Sequence, residues 1–204
     1  VTDEATAHLA RVDPALGRVI HTVGPFSPRV PDGDSFNTLA RAIVFQQLAG
    51  RAAQAIYGRF VALYAGRPTA EAILRTSTED LRAVGLSGAK TASIYDLAAK
   101  TSDGTVPLEH LDDLSDAEIV DRLSQVRGIG RWTAEMFLIF HLRRLDVWPV
   151  DDFGVRKGYA VIHSLPEPPT PKALMPLGEI YRPYRSVAAW YCWRAVDAVL
   201  PTAR

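Results

Sequence analysis

The sequence predicts an all-α fold. Apolar residues recur at three- and four-residue intervals through most of the chain. No stretch alternates as a half-buried strand should, and glycine and proline cluster between the periodic runs instead of inside them. About nine to eleven short helices are expected on this pattern.

Taken in order, Phe36, Leu39, Ala40, Ile43 and Val44 form the first strong helical face, with Ser35 as its predicted N-cap. Ile56, Phe60 and Leu63 form the next. Thr78 before Glu79 marks another helix start, and Ile94, Leu97 and Ala98 line a further helix. Ser115 caps a helix through Ile119, Leu123 and Val126. The apolar run 136–142 (MFLIFHL) has the length of a buried strand, but it continues a helical pattern from Arg131 and is read as helix. A helix follows through Val155, Tyr159 and Ile162, and the last, from 186 to 200, carries Trp190, Trp193, Ala198 and Val199. Breaks fall at 24–34, 101–114, 146–150 and 164–171; the four prolines of the last make it a rigid surface crossing. Segments 84–92 (VGLSGAKTA) and 126–134 (VRGIGRWTA) resemble each other loosely, and both suit tight glycine turns between helices.

A chain of 204 residues with 48% hydrophobic content is long enough to bury a core, as one domain or two small lobes. Lys and Arg number 23, and so do Asp and Glu, which excludes a histone-like, acidic-tail or supercharged protein. The single Cys192 excludes an intramolecular disulfide, a four-cysteine zinc site and a cysteine-ligated iron–sulfur cluster. An intracellular, cytoplasmic location is expected, since no run suits a membrane span and the opening residues carry acids where a leader needs bases. His8, His21, His110, His141 and His163 are scattered without metal-ligand spacing, so no catalytic metal is expected.

Gly128-Ile129-Gly130 lies between two helical patterns. Two glycines one residue apart permit a hairpin with positive φ. Ile129 between them would anchor it in the core. The helix start that follows presents amides without intrahelical acceptors, which suit a phosphate oxygen. An ordinary αα turn fits the same spacing equally well. Charge adds a modest argument: Arg122, Arg127, Arg131, Arg143, Arg144, Arg156 and Lys157 face only Glu135, Asp146, Asp151 and Asp152 in that region. The excess of three bases is too small for tight nonspecific binding.

Trp148-Pro149-Val150 leads into Asp151-Asp152 and a helix. Aspartate is a good N-cap, which accounts for one of the two acids. Adjacent side chains on a helix diverge by about 100°, so the other must face elsewhere. A carboxylate at a helix N-terminus is favoured as the anion, able to stabilise a nearby cation or take a proton from water.

Together, VRGIGRWTAEMF and WPVDDFGVRKGY resemble the helix-hairpin-helix Gly/Pro–Asp superfamily of DNA glycosylases over roughly residues 35–200. The Trp132-to-Asp152 spacing, the QQL at 46–48 and the closing YRSVAAWYCW most resemble its 3-methyladenine DNA glycosylase II (AlkA-like) branch. That resemblance implies a two-lobed helical fold with an interlobe DNA-binding cleft. One lobe would span 36–145 and end in the hairpin; the other would combine 1–35 with 146–204. It implies Asp152 as the catalytic carboxylate, with Asp151 its neighbour. Trp132, Trp193, Met136 and Gln46 would line the base pocket. Leu48, beside Gln47, would be the wedge that fills the gap left by an extruded nucleotide. Gly128, Ile129, Gly130, Arg131 and Thr133 would grip a phosphate, and the carbonyls of 126–131 could hold a monovalent cation.

The implied function is monofunctional excision of alkylated bases from double-stranded DNA, with no cofactor, by a monomer. Strand-cutting relatives carry lysine where this chain has Trp132, so no Schiff base can form there. With 35 residues before Phe36, too few for the β-rich N-terminal domain of larger members, a compact form is expected. Met136 stands where relatives often have tyrosine, which bears on lesion choice. Two rival readings are a helix-hairpin-helix module that binds DNA without catalysis and a glycosylase for mismatched or oxidised bases. Arg182 and Arg185 suit either a phosphate or a solvated helix start, and Lys90 reads as a surface lysine.

Overall fold

The computed structural model describes residues 2–28 and 33–199. It is all-helical, with no strand among the described residues. The helices are α1 (Thr2–Val12), α2 (Pro14–Val23), α3 (Ser35–Phe45), α4 (Gly50–Ala62), α5 (Ala70–Arg75), α6 (Thr78–Ala83), α7 (Gly88–Ser102), α8 (Asp116–Leu123), α9 (Arg131–Phe140), α10 (Phe153–Ile162), α11 (Pro171–Leu177) and α12 (Arg185–Val199). The run that continues from Arg131 is helix, as its period predicts, and ends at Phe140. Leu200, placed by the sequence in the last helix, lies outside the described residues, as do 29–32 in the 24–34 break.

Cap chemistry sets the boundaries. Ser115 forms a full capping box with Glu118. Two predicted caps move one residue upstream. Asp34 caps α3 because its carboxylate reaches both the amide and the side chain of Asn37. Ser77 caps α6 through the Asp80 amide. A further break comes at Asp13-Pro14, where the Asp13 carboxylate accepts from the Ala15 and Leu16 amides and proline takes the first helical position.

Internal contacts divide the chain into two compact units, Val1–Val30 with Leu138–Arg204, and Pro31–Phe137. The division falls inside α9, not at 145/146 where the sequence suggested it, because glycine and proline mark loops while packing decides units. The 31–137 unit builds its core from Leu39, Ile43, Phe60, Ile73, Leu81, Ile94, Leu97, Ile119 and Leu123. Each such side chain contributes roughly 1.5–3 kcal/mol by leaving water.

In the other unit, α10 packs chiefly on α12. Gly158 makes that crossing possible. A Cβ there would lie 2.0 Å from the Cys192 carbonyl oxygen, so only a bare backbone lets the two helices approach this closely. Beneath them, Leu9, Leu16, Val155, Leu174, Tyr181, Val187 and Tyr191 fill the core. The Tyr181 hydroxyl donates to the buried Asp13 carboxylate at 2.7 Å, and burial followed by that hydrogen bond raises its pKa.

Candidate active site

The loop that leads to Asp152 is clamped by the start of α12. Asp146 receives the guanidinium groups of Arg182 and Arg185, each at 2.7 Å. The Ser186 hydroxyl accepts from the Val147 amide and donates to the Arg144 carbonyl. The buried Trp148 donates its indole N–H to the Leu174 carbonyl. Arg182 and Arg185 therefore serve the loop.

At the end of this clamped segment, Asp152 is the N-cap of α10. Its Oδ1 accepts from the Val155 amide at 2.8 Å and from Trp193 Nε1 at 2.8 Å. Both donors meet the same oxygen, and the two short bonds hold it in place. Asp152 is 9% exposed, whereas Asp151 is exposed. The division of labour between the two acids is thus settled: the cap and the indole partner fall to the same residue.

Gly154 makes room for this arrangement. A Cβ there would stand 2.7 Å from Trp193 Cδ1 and 3.0 Å from both Trp193 Nε1 and Asp152 Oδ1. Trp193 stacks on Phe140 with ring centroids 5.6 Å apart. Both rings border a cavity of about 610 Å³, whose other walls are Val23, Pro25, Ser27, Trp190 and Arg194. Phe153, next to Asp152, is 60% exposed. The neighbouring Cys192 is buried, and burial first, then the charges of Asp13 and Asp152, raises its thiol pKa far enough to keep it protonated and inert.

The 31–137 unit carries the hairpin. Gly128 has φ +79° and is exposed, while Ile129 is buried, as an anchor should be. The hairpin closes through the Ile129 amide to the Val126 carbonyl at 3.0 Å, and α9 begins with Ala134 bonded to the Gly130 carbonyl. Helix α7 backs it. Asp96 accepts from the Arg127 amide and from Lys100, and the Lys100 ammonium also donates to the Gln125 carbonyl. Desolvation pushes the Asp96 carboxyl up, but these hydrogen bonds outweigh it and leave the pKa below the ordinary carboxylate value.

The remaining predicted residues divide by surroundings. Trp132 is 46% exposed and Leu48 38%, so neither is a core residue. Trp132 and Met136, four apart, share one face of α9. Gln46 donates its side-chain amide to the Gly128 carbonyl at 2.8 Å, so this predicted pocket residue is tied to the hairpin. Arg131 is largely exposed and pairs with the buried Glu135. Thr133 is buried. Lys90 is no plain surface lysine: its ammonium donates to the carbonyls of Val44 and Gln46. The carbonyls of Val126, Gly128 and Gly130 accept from the Ile129 amide, the Gln46 side chain and the Ala134 amide respectively. No cluster of His, Cys, Asp or Glu among the described residues could hold a metal ion.

A family model described as "HhH-GPD superfamily base excision DNA repair protein" matches residues 40–183, which include the hairpin and the capped aspartate. The chain belongs to the HhH-GPD superfamily. Within it, the chain is similar to DNA-3-methyladenine glycosylase 1 of Schizosaccharomyces pombe, at 39% identity over 94% of this chain and 86% of the relative. Its fold is similar to a solved S. pombe 3-methyladenine DNA glycosylase in complex with abasic DNA, with TM-score 0.86 and 38% identity over 98% of this chain and 100% of that one. It also resembles a DNA-3-methyladenine glycosidase from Bacillus halodurans, with TM-score 0.88 and 32% identity over 97% of this chain and 91% of that one. The sequence signals of this HhH-GPD protein located its hairpin and its aspartate. They missed Gly154, Phe140, Phe153 and the α7 side chains. The i, i+4 pair Gly154 and Gly158 was the available signal, since two small residues on one helix face invite a close neighbour.

Proposed function

We infer that the protein is a monofunctional DNA N-glycosylase of base excision repair that removes alkylated bases, 3-methyladenine among them, from duplex DNA and leaves an abasic site. The observation that carries this reading is the Asp152 carboxylate, oriented by a helix-start amide and an indole in a chain so similar to a DNA-3-methyladenine glycosylase.

The chemistry suits that group. An alkylated purine bears positive charge and is a good leaving group. As the bond from C1′ to the base nitrogen breaks, the electron pair leaves with the base and positive charge develops on the sugar. A fixed carboxylate lowers the energy of that state. Water then attacks C1′ and gives its proton to Asp152. The target atom lies within the stack, so the nucleotide is first extruded. The face of Trp193, beside Asp152, receives the cationic base, a contact worth about 0.5–2 kcal/mol. Leu48 fills the gap, and the Gly128–Arg131 backbone grips a phosphate beside it. A monovalent cation, when bound on the 126–131 carbonyls, would add positive charge near that phosphate. The protein acts as a monomer where the genome is; no helix among the described residues is long and apolar enough to cross a membrane.

The test is release of methylated base from alkylated DNA by the wild type and by Asp152→Asn. Asparagine is as good an N-cap as aspartate, so the melting temperature should hold. The release rate should fall by about 100-fold or more. Equal release by both proteins sinks the proposed role, and binding without release by the wild type favours a non-catalytic module. Incubation with abasic DNA and borohydride should trap no covalent adduct.

A further inference from the structure

The loop that leaves α3 is held in an unusual way. Gln47 has φ +55°, a left-handed conformation that is unfavourable for a non-glycine residue. Leu48 follows it, partly exposed. From the first turn of α7, Lys90 donates to the Val44 and Gln46 carbonyls, each at 2.7 Å. Gln46 then spans to the Gly128 carbonyl at 2.8 Å. Ser93 lies beneath the same glycine, where a Cβ would meet its Oγ at 2.7 Å. Asp96 and Lys100 hold the rest of the hairpin. Lys90, Ser93, Asp96 and Lys100 recur at three, three and four residues, one stripe along α7. Polar side chains of that stripe therefore reach main-chain groups of two exposed loops that are far apart in sequence.

We propose that this stripe makes the Leu48 loop and the Gly128 hairpin one rigid DNA-gripping element, with Lys90 and Gln46 as positioning residues that set how far Leu48 reaches once a phosphate is gripped. The proposal rests on the reading above, in which the hairpin takes a phosphate and Leu48 fills the vacated stack. A wedge that must enter one particular gap needs placement within roughly 0.5 Å, which a loop held only by its own backbone does not provide. The ammonium and amide ties to carbonyls supply it.

The experiment measures nucleotide extrusion by stopped-flow fluorescence, with 2-aminopurine beside one alkylated purine in a duplex and the full chain in an Asp152→Asn background. Lys90→Met keeps the length of the side chain and loses its donors. Gln46→Glu keeps the shape and loses the N–H that Gly128 accepts. Gln46→Glu, which loses one such hydrogen bond, should slow extrusion about five- to tenfold, and Lys90→Met, which loses two from a charged donor, should slow it at least as much. Lys90→Arg should recover most of the rate. The deciding arm repeats both variants with Leu48→Ala. If they act through the wedge, their effects vanish there, because neighbours on one path are not additive. The same fold-loss with and without Leu48, or an unchanged extrusion rate with only a lowered melting temperature, overturns the proposal. Should Lys90→Met fail to fold, Gln46→Glu carries the cycle alone. Base release by the wild type on alkylated DNA tests the underlying reading separately, so the two failures are distinguishable.

Discussion

Gly154→Ala is the sharpest perturbation of the site, because it adds one methyl group and removes no functional atom. The new Cβ would stand 2.7 Å from Trp193 Cδ1, whereas ordinary contact begins at 3.4 Å. The indole must therefore retreat by about 0.7 Å, the difference needed to restore normal van der Waals separation. Its 2.8 Å hydrogen bond to Asp152 would lengthen toward roughly 3.5 Å, where it is no longer a hydrogen bond. Retreat is opposed by the stack on Phe140. Stability changes as well. Overpacking costs about 1–3 kcal/mol, and the helix gains up to about 1 kcal/mol when alanine replaces glycine. The net loss is then at most about 3 kcal/mol. The catalytic effect is separate and falls on the rate of the folded protein, since a reacting group displaced by a fraction of an ångström to 1 Å loses on the order of 10- to 100-fold in rate. Single-turnover release of methylated base, measured beside a thermal melt, separates the two. A folded Gly154→Ala protein that releases base within twofold of the wild-type rate would refute the argument that the indole positions the carboxylate.

Other expectations use the same logic. Tyr181→Phe removes the hydroxyl that donates to buried Asp13 and should cost about 1–3 kcal/mol in chemical denaturation while leaving base release unchanged at temperatures well below the melt. Asp96 has its folded pKa below the unfolded value, so its contribution is complete above about pH 4 and is lost as pH falls through the lower folded value. Asp96→Asn should therefore flatten the stability profile in that acidic window, which denaturation across pH 2–5 would show; an unaltered acid limb would remove Asp96 as a support of the hairpin.

Much of this molecule was legible in the chain itself. Helical period alone identified the 136–142 run as helix, which holds through Phe140, and the Gly128-Ile129-Gly130 spacing located a turn whose middle residue is buried. Ser115 was legible as an N-cap, and the structure adds Glu118 to complete a capping box. These are local signals, in which the interacting groups lie within a turn or two of each other. Cap positions at Asp34 and Ser77 slipped by one residue because two candidate capping side chains stood side by side and only the reach to a particular amide chose between them. The aspartate pair was legible as a cap plus a second acid, but which of them met an aromatic donor was not.

Tertiary structure alone decided the rest. Trp193 meets Asp152 across 41 residues, and Gln46 meets Gly128 across 82. Such bonds depend on how closely helices approach, and Gly158 controls that distance for α10 and α12 by the absence of a side chain. The glycine pair four residues apart signals a close neighbour but not which helix supplies it. Lys90 likewise looks like any lysine at a helix start until the carbonyls it caps, more than forty residues away, fold back beside it. Local spacing writes the helices and the turn; the distances that turn a carboxylate and a loop into a working site arise only when the helices pack.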